Sequence, residues 1–232
     1  GIAFVVVCTE RKLLNALRPE ARQAPISGIV AVMTHGWGRP GLIPLWAGEG
    51  DAPTPDFIAR PAIESMAKGE TFYTRNRGIP ELREAIAAYH SRHFGKTFDP
   101  AEFLVTGGGM QAIQLCIQAT AGSGDEVIYL SPAWPNLAAA VDIAGAKSVP
   151  LRLDFSDNGW TFDPQRIEDA ITPRTRALFI NTPSNPTGWT GDLDTLRAIL
   201  EIARKHGLWI IADEIYTLFH YGEGRAPSFL DI

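Results

Sequence analysis

The sequence has only two cysteines, Cys8 and Cys116, in 232 residues. That is too few for a disulfide framework and favours reduced, cytoplasmic surroundings. Cys116 sits in a helical run and reads as a small core residue. Long apolar runs are also missing. The run over residues 2–8 is too short to span a bilayer, and it lacks the basic flank and small-residue cleavage site of a secretion signal. A surplus of positive charge is missing too: Lys and Arg number 21 against 26 Asp and Glu, for a net charge of −5. From this balance we expect no nucleic-acid partner, and from the short apolar runs no membrane partner; no metal site is expected. There are no internal repeats and no low-complexity tracts. What remains is 45% hydrophobic and 20% charged, the balance of a globular chain that fills a sizeable core.

Residues 1–45 read as an irregular arm with one short helix around Arg11 to Leu17. Gly and Pro thicken from Gly36 to Pro55, a loop leading into a main body over 46–232. Pro80 opens a helix on which Leu82, Ala85, Ile86 and Tyr89 recur at helical spacing. Strands and helices then alternate. Phe103-Leu-Val-Thr106 reads as a strand, followed by a helix from about Met110 to Ala121. Glu126 to Leu130, Ser148 to Leu153, Ala177 to Asn181 and Leu208 to Ala212 read as further strands. Asp163-Pro164 caps one helix between them. Asp192 to His206 is another, stopped by Gly207. This alternation predicts an α/β fold with a mostly parallel sheet covered by helices on both faces.

Such sheets bind ligands beyond the carboxyl ends of their strands, so the residues after each strand carry the information. Gly107-Gly108-Gly109-Met110 joins a strand to a helix. It is either a plain turn or a phosphate cradle of backbone N–H groups. Trp134, between two prolines, either packs its loop onto the core or stacks on a flat ring. Asn185, in Thr182-Pro-Ser-Asn-Pro-Thr-Gly188, either belongs to a simple turn or presents an amide at a fixed point. Asp213 ends an apolar strand. It is either a helix cap or a poorly solvated carboxylate in need of a cationic or hydrogen-bonding partner. Tyr216 lies three residues further on. Together these residues suit a phosphorylated heterocycle with a basic nitrogen and a phenolic oxygen. Pyridoxal phosphate answers that description.

Five segments carry a family likeness. They are Tyr73-Thr-Arg-Asn-Arg-Gly-Ile-Pro-Glu-Leu-Arg-Glu-Ala-Ile86, Val105-Thr-Gly-Gly-Gly-Met-Gln-Ala112, Gly124-Asp-Glu-Val-Ile-Tyr-Leu-Ser-Pro132, Asn181-Thr-Pro-Ser-Asn-Pro-Thr-Gly188 and Ile211-Ala-Asp-Glu-Ile-Tyr216. In identity, order and spacing the chain resembles the class I/II aminotransferases of the fold-type-I pyridoxal-phosphate superfamily. The resemblance implies that Gly108, Gly109 and Met110 hold the cofactor phosphate and that Trp134 stacks on the pyridine. It also implies that Asn185 and Tyr216 bond the phenolic oxygen and that Asp213 keeps the ring nitrogen protonated. Tyr73 would reach the phosphate of a neighbouring subunit, so a homodimer is implied. Gly48 would lie near the substrate carboxylate. The substrates would be an amino acid and a 2-oxo acid. The bond before Pro186 is expected to be cis.

The chain also departs from the family pattern. The Schiff-base lysine belongs on a later segment. The five lysines present, Lys12, Lys68, Lys96, Lys147 and Lys205, have the wrong context. The arginine that grips the substrate carboxylate is also absent. The resemblance therefore implies an inactive piece of a longer enzyme: an incomplete large domain preceded by an arm of the small domain. In that fold the first strand, 103–106, pairs only with a later strand that is missing here, and 208–212 is left as an open edge. Gly48-Glu-Gly-Asp-Ala52 differs from the usual Gly-Glu-Pro-Asp-Phe. Met110 stands where lysine or serine is frequent. Other readings on the same fold are a carbon–sulfur lyase, an amino-acid decarboxylase or a non-catalytic sensor domain. A dinucleotide-binding domain would want Gly-x-Gly-x-x-Gly and leaves the Asn185 and Asp213 motifs unexplained.

Overall fold

A computed structural model describes residues 15–24 and 27–232. In chain order the helices are α1 (Pro19–Gln23), α2 (Gly28–Gly36), α3 (Asp56–Ala67), α4 (Pro80–Phe94), α5 (Gly109–Thr120), α6 (Pro135–Ile143), α7 (Gln165–Ala170) and α8 (Leu193–His206). The strands are β1 (Glu126–Ser131), β2 (Lys147–Arg152), β3 (Asp154–Ser156), β4 (Gly159–Thr161), β5 (Thr175–Asn181) and β6 (Trp209–Asp213). The chain falls into two compact units. One is Ile26–Gly107, and the other is Gly108–Ile232 with the N-terminal segment to Pro25. That division does not fall at residue 46.

The larger unit holds a four-stranded sheet of order β2-β1-β5-β6, parallel throughout. Side chains on a strand alternate between faces, and both central strands are apolar on both. Val127, Ala177 and Phe179 pack with Ile113 and Ile117 of α5 and Leu137 and Val141 of α6. Ile128, Leu130, Leu178 and Ile180 pack on the other face with Ile167 of α7 and Ile199 of α8. The expected α/β architecture with helices on both faces is therefore present. Helix α8 shows how locally it is specified. Asp192 accepts a hydrogen bond from the Thr195 N–H at 2.7 Å at its start, and Gly207 closes it at φ 66°. That left-handed conformation favours glycine. Lys205, at the helix end, pairs with Glu168.

Several expectations fail for physical reasons. The segment 103–106 joins no sheet; Val105 donates only to the Arg77 carbonyl at 3.1 Å. Strand propensity does not make a strand where the described residues supply no ladder partner. The expected open edge at β6 is seen: among the described residues β6 pairs with β5 alone, and Trp209 is 66% exposed. Cys116 is exposed, not a core residue, because Ile113 and Ile117 take the inward stripe of α5. The helix expected at 11–17 falls mostly on residues 1–14, outside the described residues, and 15–17 form a turn. Among its described residues the arm contains α1 and α2. In the smaller unit α4 turns Ile86, Ala87 and His90 inward, while Leu82 and Tyr89 stay exposed. The antiparallel β3–β4 hairpin was not anticipated, although Asn158-Gly159 is a strong hairpin signal.

At the amino ends of the strands, Glu126 is only 3% exposed yet fully partnered. Its carboxylate accepts from Thr172 Oγ1 at 2.6 Å and from Arg174 Nη2 at 2.8 Å, with Lys147 Nζ at 3.7 Å. The Thr172 and Arg174 hydrogen bonds outweigh desolvation and hold the carboxyl below its ordinary pKa. A lowered folded pKa stabilises fully above the unfolded value, and that stability is lost as pH falls through the folded value. Glu126→Gln should cost about 1–2 kcal/mol at pH 7, allowing for screening of the exposed partners. It should also flatten the acid limb of stability. Urea midpoints measured between pH 3 and pH 7 check both effects; an unchanged acid limb would contradict the assignment.

Candidate functional site

Because the sheet is parallel, the carboxyl ends of β1, β5 and β6 meet at one edge of the larger unit. A pocket of about 630 Å³ opens there. Gly109 and Met110 line it from the start of α5, and Trp134 from the loop after β1. Asn181 and Asn185 line it from the end of β5, and Asp213 and Tyr216 from the end of β6. The floor is apolar, with Ile113, Phe179 and Ile211. Of the residues anticipated from sequence, Gly109, Met110, Trp134, Asn185, Asp213 and Tyr216 thus share one cavity. Gly108 sits beside it as the N-cap of α5 and supplies no side-chain cap. Tyr73 and Gly48 belong to the smaller unit and are exposed within it.

Each wall has a structural cause. Helix geometry leaves the Gly109 and Met110 amides without an intrahelical acceptor, so N–H donors and the positive end of the helix dipole face the pocket mouth. Trp134 is half-buried against the same apolar cluster as Met110 and Ile211 while its indole also lines the cavity. Its packing and its place at the pocket are therefore compatible. The Asn185 loop carries two prolines and ends at Gly188, with φ 71°; the Gly188 N–H bonds the Ser184 carbonyl at 2.8 Å. The peptide bonds before Pro132, Pro183 and Pro186 are cis. Asn185 Nδ2 donates to the Tyr216 hydroxyl oxygen at 3.3 Å.

The two adjacent acids differ. Glu214 accepts from Ser228 Oγ at 2.5 Å and from the Phe229 N–H at 2.9 Å. Its side chain is thus committed to the segment that follows. Asp213 receives one backbone N–H, from Ile215 at 3.3 Å, and makes no ion pair among the described residues. Burial pushes its carboxyl above the ordinary range, and the Ile215 N–H offsets this only in part. The pocket therefore holds a half-buried acid with no positive partner among the described residues.

Two residues escaped the sequence reading. Cys116 lines the cavity, and it was missed because a helical wheel does not reveal which face meets a pocket. Asn181 donates through Nδ2 to the Asp213 carbonyl at 2.9 Å and accepts the Asn185 N–H on Oδ1 at 2.7 Å. Its signal was its place as the last residue of a strand, opposite Asp213 in the parallel register. Among the described residues no group of three or more His, Cys, Asp or Glu is placed to hold a metal ion, and no helix is long and apolar enough to cross a membrane.

A desolvated anion destabilises the empty fold. Asp213→Asn should raise the melting temperature at pH 8 by roughly 2 °C, the scale of a sub-kcal change in a chain of this size. The sign follows from a raised folded pKa: the burden is present where Asp213 is ionised and fades as pH falls and the carboxyl protonates. Thermal melts of both proteins at pH 8 and pH 4 measure this. Equal differences at the two pH values would contradict it.

Comparison with known proteins gives the family. The family model described as aminotransferase class I and II matches residues 40–231. The aspartate/prephenate aminotransferase of Thermus thermophilus is 38% identical over 216 residues, which cover 93% of this chain and 55% of that protein. The arginine–pyruvate transaminase of Pseudomonas aeruginosa is 35% identical over 190 residues, covering 82% of this chain and 48% of that protein. Among solved structures, the aspartate aminotransferase from Thermus thermophilus with maleate superposes with a TM-score of 0.84 at 38% identity, covering 93% of this chain and 57% of that one. N-succinyldiaminopimelate aminotransferase from Mycobacterium tuberculosis gives 0.83 at 34% identity, covering 90% and 54%. The chain spans about half the length of the curated relatives it matches. The family match runs through every strand and through every residue of the pocket, and on it the chain belongs to the class I and II aminotransferases.

Proposed function

We propose that this chain is the cofactor-binding part of a pyridoxal-phosphate-dependent aminotransferase, which moves an amino group between an amino acid and a 2-oxo acid. The observation that carries the reading is the desolvated Asp213 carboxylate, without an ion-pair partner among the described residues, in one cavity with Trp134, Asn185, Tyr216 and the start of α5. That donor set fits the cofactor group by group. Helix-start amides of Gly109 and Met110 suit a phosphate. The flat indole of Trp134 suits the face of a pyridine ring. The side chains of Asn185 and Tyr216, already 3.3 Å apart, suit a phenolic oxygen. Asp213 suits a protonated ring nitrogen.

When bound, pyridoxal phosphate supplies an aldehyde for the substrate amine and a ring that accepts electron density. The chain's residues govern how well that ring performs. Asp213 holds a proton on the ring nitrogen, and the positive charge in turn draws its raised pKa back down. Asn185 and Tyr216 favour the ionised phenolic oxygen. Trp134 and the apolar floor exclude water from one face. In this reading Tyr73 reaches the phosphate in a partner subunit of a homodimer, and Gly48 lies near the substrate carboxylate. The setting is cytoplasmic. The lysine that anchors the cofactor covalently is not one of the five in this sequence.

Two measurements test the reading. The chain itself should bind pyridoxal phosphate reversibly, with quenching of tryptophan fluorescence, and Asp213→Ala should weaken binding at least tenfold. The protein made from its complete reading frame should transfer amino groups to a 2-oxo acid. Asp213→Ala should cut that rate by roughly a hundredfold or more, the scale of one lost preorganised charge contact, with circular dichroism unchanged. Full activity in that variant would overturn the role of Asp213.

A further inference from the structure

The two residues proposed to set the cofactor's charge state, Asp213 and Asn185, sit on different segments of chain. Asp213 ends β6, and Asn185 lies in the loop after β5. Their relative placement therefore needs a tie across the strand ends, and one side chain provides it. Asn181, the last residue of β5, lies opposite Asp213 in the parallel register. Its Nδ2 donates to the Asp213 carbonyl at 2.9 Å, and its Oδ1 accepts the Asn185 N–H at 2.7 Å. The Asp213 carbonyl also accepts the Thr182 N–H at 3.1 Å, so that peptide is held twice.

The loop has few means of holding itself. Pro183 and Pro186 carry no N–H. The Ser184 N–H is committed to the Trp189 carbonyl and the Gly188 N–H to the Ser184 carbonyl, both bonds that close the loop on itself. Beyond Thr182 at its start, the loop reaches back to the sheet through the Asn185 N–H, which Asn181 accepts. Only an amide of this length offers a donor on one side and an acceptor on the other. An aspartate would keep the acceptor for Asn185 but would set a carboxylate oxygen against the Asp213 carbonyl. An alanine would remove both bonds, leaving the Asp213 carbonyl to the Thr182 N–H alone and the Asn185 N–H without its acceptor.

We propose that Asn181 is a positioning residue which fixes the Asp213 peptide relative to Asn185, and so sets together the protonation of the ring nitrogen and of the phenolic oxygen of bound pyridoxal phosphate. The inference rests on the cofactor reading above. It concerns a residue whose amide is spent on neighbouring backbone and which acts through Asp213 and Asn185.

The test is a pH titration of the absorbance of pyridoxal phosphate bound to the chain. Asn181→Ala should weaken cofactor binding about tenfold, within the coupling range of groups that share one hydrogen-bond network. It should also raise the proton affinity of the phenolic oxygen, because Asn185 no longer holds its donor in place. Asn185→Ala should then cost less in the Asn181→Ala background than in the wild type. Asn181→Asp, which retains the bond to Asn185 and the shape of the side chain, serves if the alanine variant fails to fold. It should weaken binding to a similar degree, with the loss arising on the Asp213 side. Folded variants that lose melting temperature but keep the wild-type affinity and titration would overturn the proposal and leave the cofactor reading intact. So would additive effects of the 181 and 185 substitutions. A wild-type chain that leaves the coenzyme spectrum unchanged would overturn the cofactor reading, and this proposal with it.

Discussion

The structure turns on a carboxylate placed where water solvates it poorly and no cation among the described residues meets it. Asp213 reaches that position because β6 is apolar, pairs in parallel with β5 and stops at the pocket edge. Its neighbour Glu214 is removed from competition by Ser228 and the Phe229 N–H. An uncompensated charge of this kind is a local cost that folds tolerate at sites with work to do. A bound cation would relieve it, and in the proposed reading that cation is a flat, protonated heterocycle stacked on Trp134.

The opposite end of the sheet shows what the same residue type looks like without such work. Glu126 is more deeply buried than Asp213, yet Thr172, Arg174 and Lys147 satisfy it. Its pKa is lowered, whereas that of Asp213 is raised. Burial alone does not separate a structural acid from a functional one; the presence or absence of partners does. A parallel sheet makes the separation spatial. The amino ends close with matched charge, and the carboxyl ends gather unmatched groups around a cavity.

Much of this was legible in the sequence. The strand-end residues could be found because apolar runs of strand length stop at Gly, Pro or Asp, and because the parallel architecture sends those ends to one edge. Other features depend on partners that a linear pattern does not contain. The segment 103–106 has strand composition, but a ladder needs a neighbour, and none is present among the described residues. Cys116 looked internal because it lies beside Ile113 and Ile117, yet those two define the buried stripe and leave the thiol at the cavity wall. Asn181 looked like the end of a strand. Its double tie exists only once the β5–β6 register places it opposite Asp213, and register is a property of the folded sheet.

The central claim is that Asp213 keeps an aromatic nitrogen protonated. The most direct measurement is the nitrogen-15 chemical shift of pyridoxal phosphate labelled in its ring and bound to this protein. The account predicts a protonated ring nitrogen up to mildly alkaline pH in the wild type and an unprotonated one in Asp213→Asn. A ring nitrogen that is unprotonated at neutral pH in the wild type, or whose shift ignores the substitution, would contradict it.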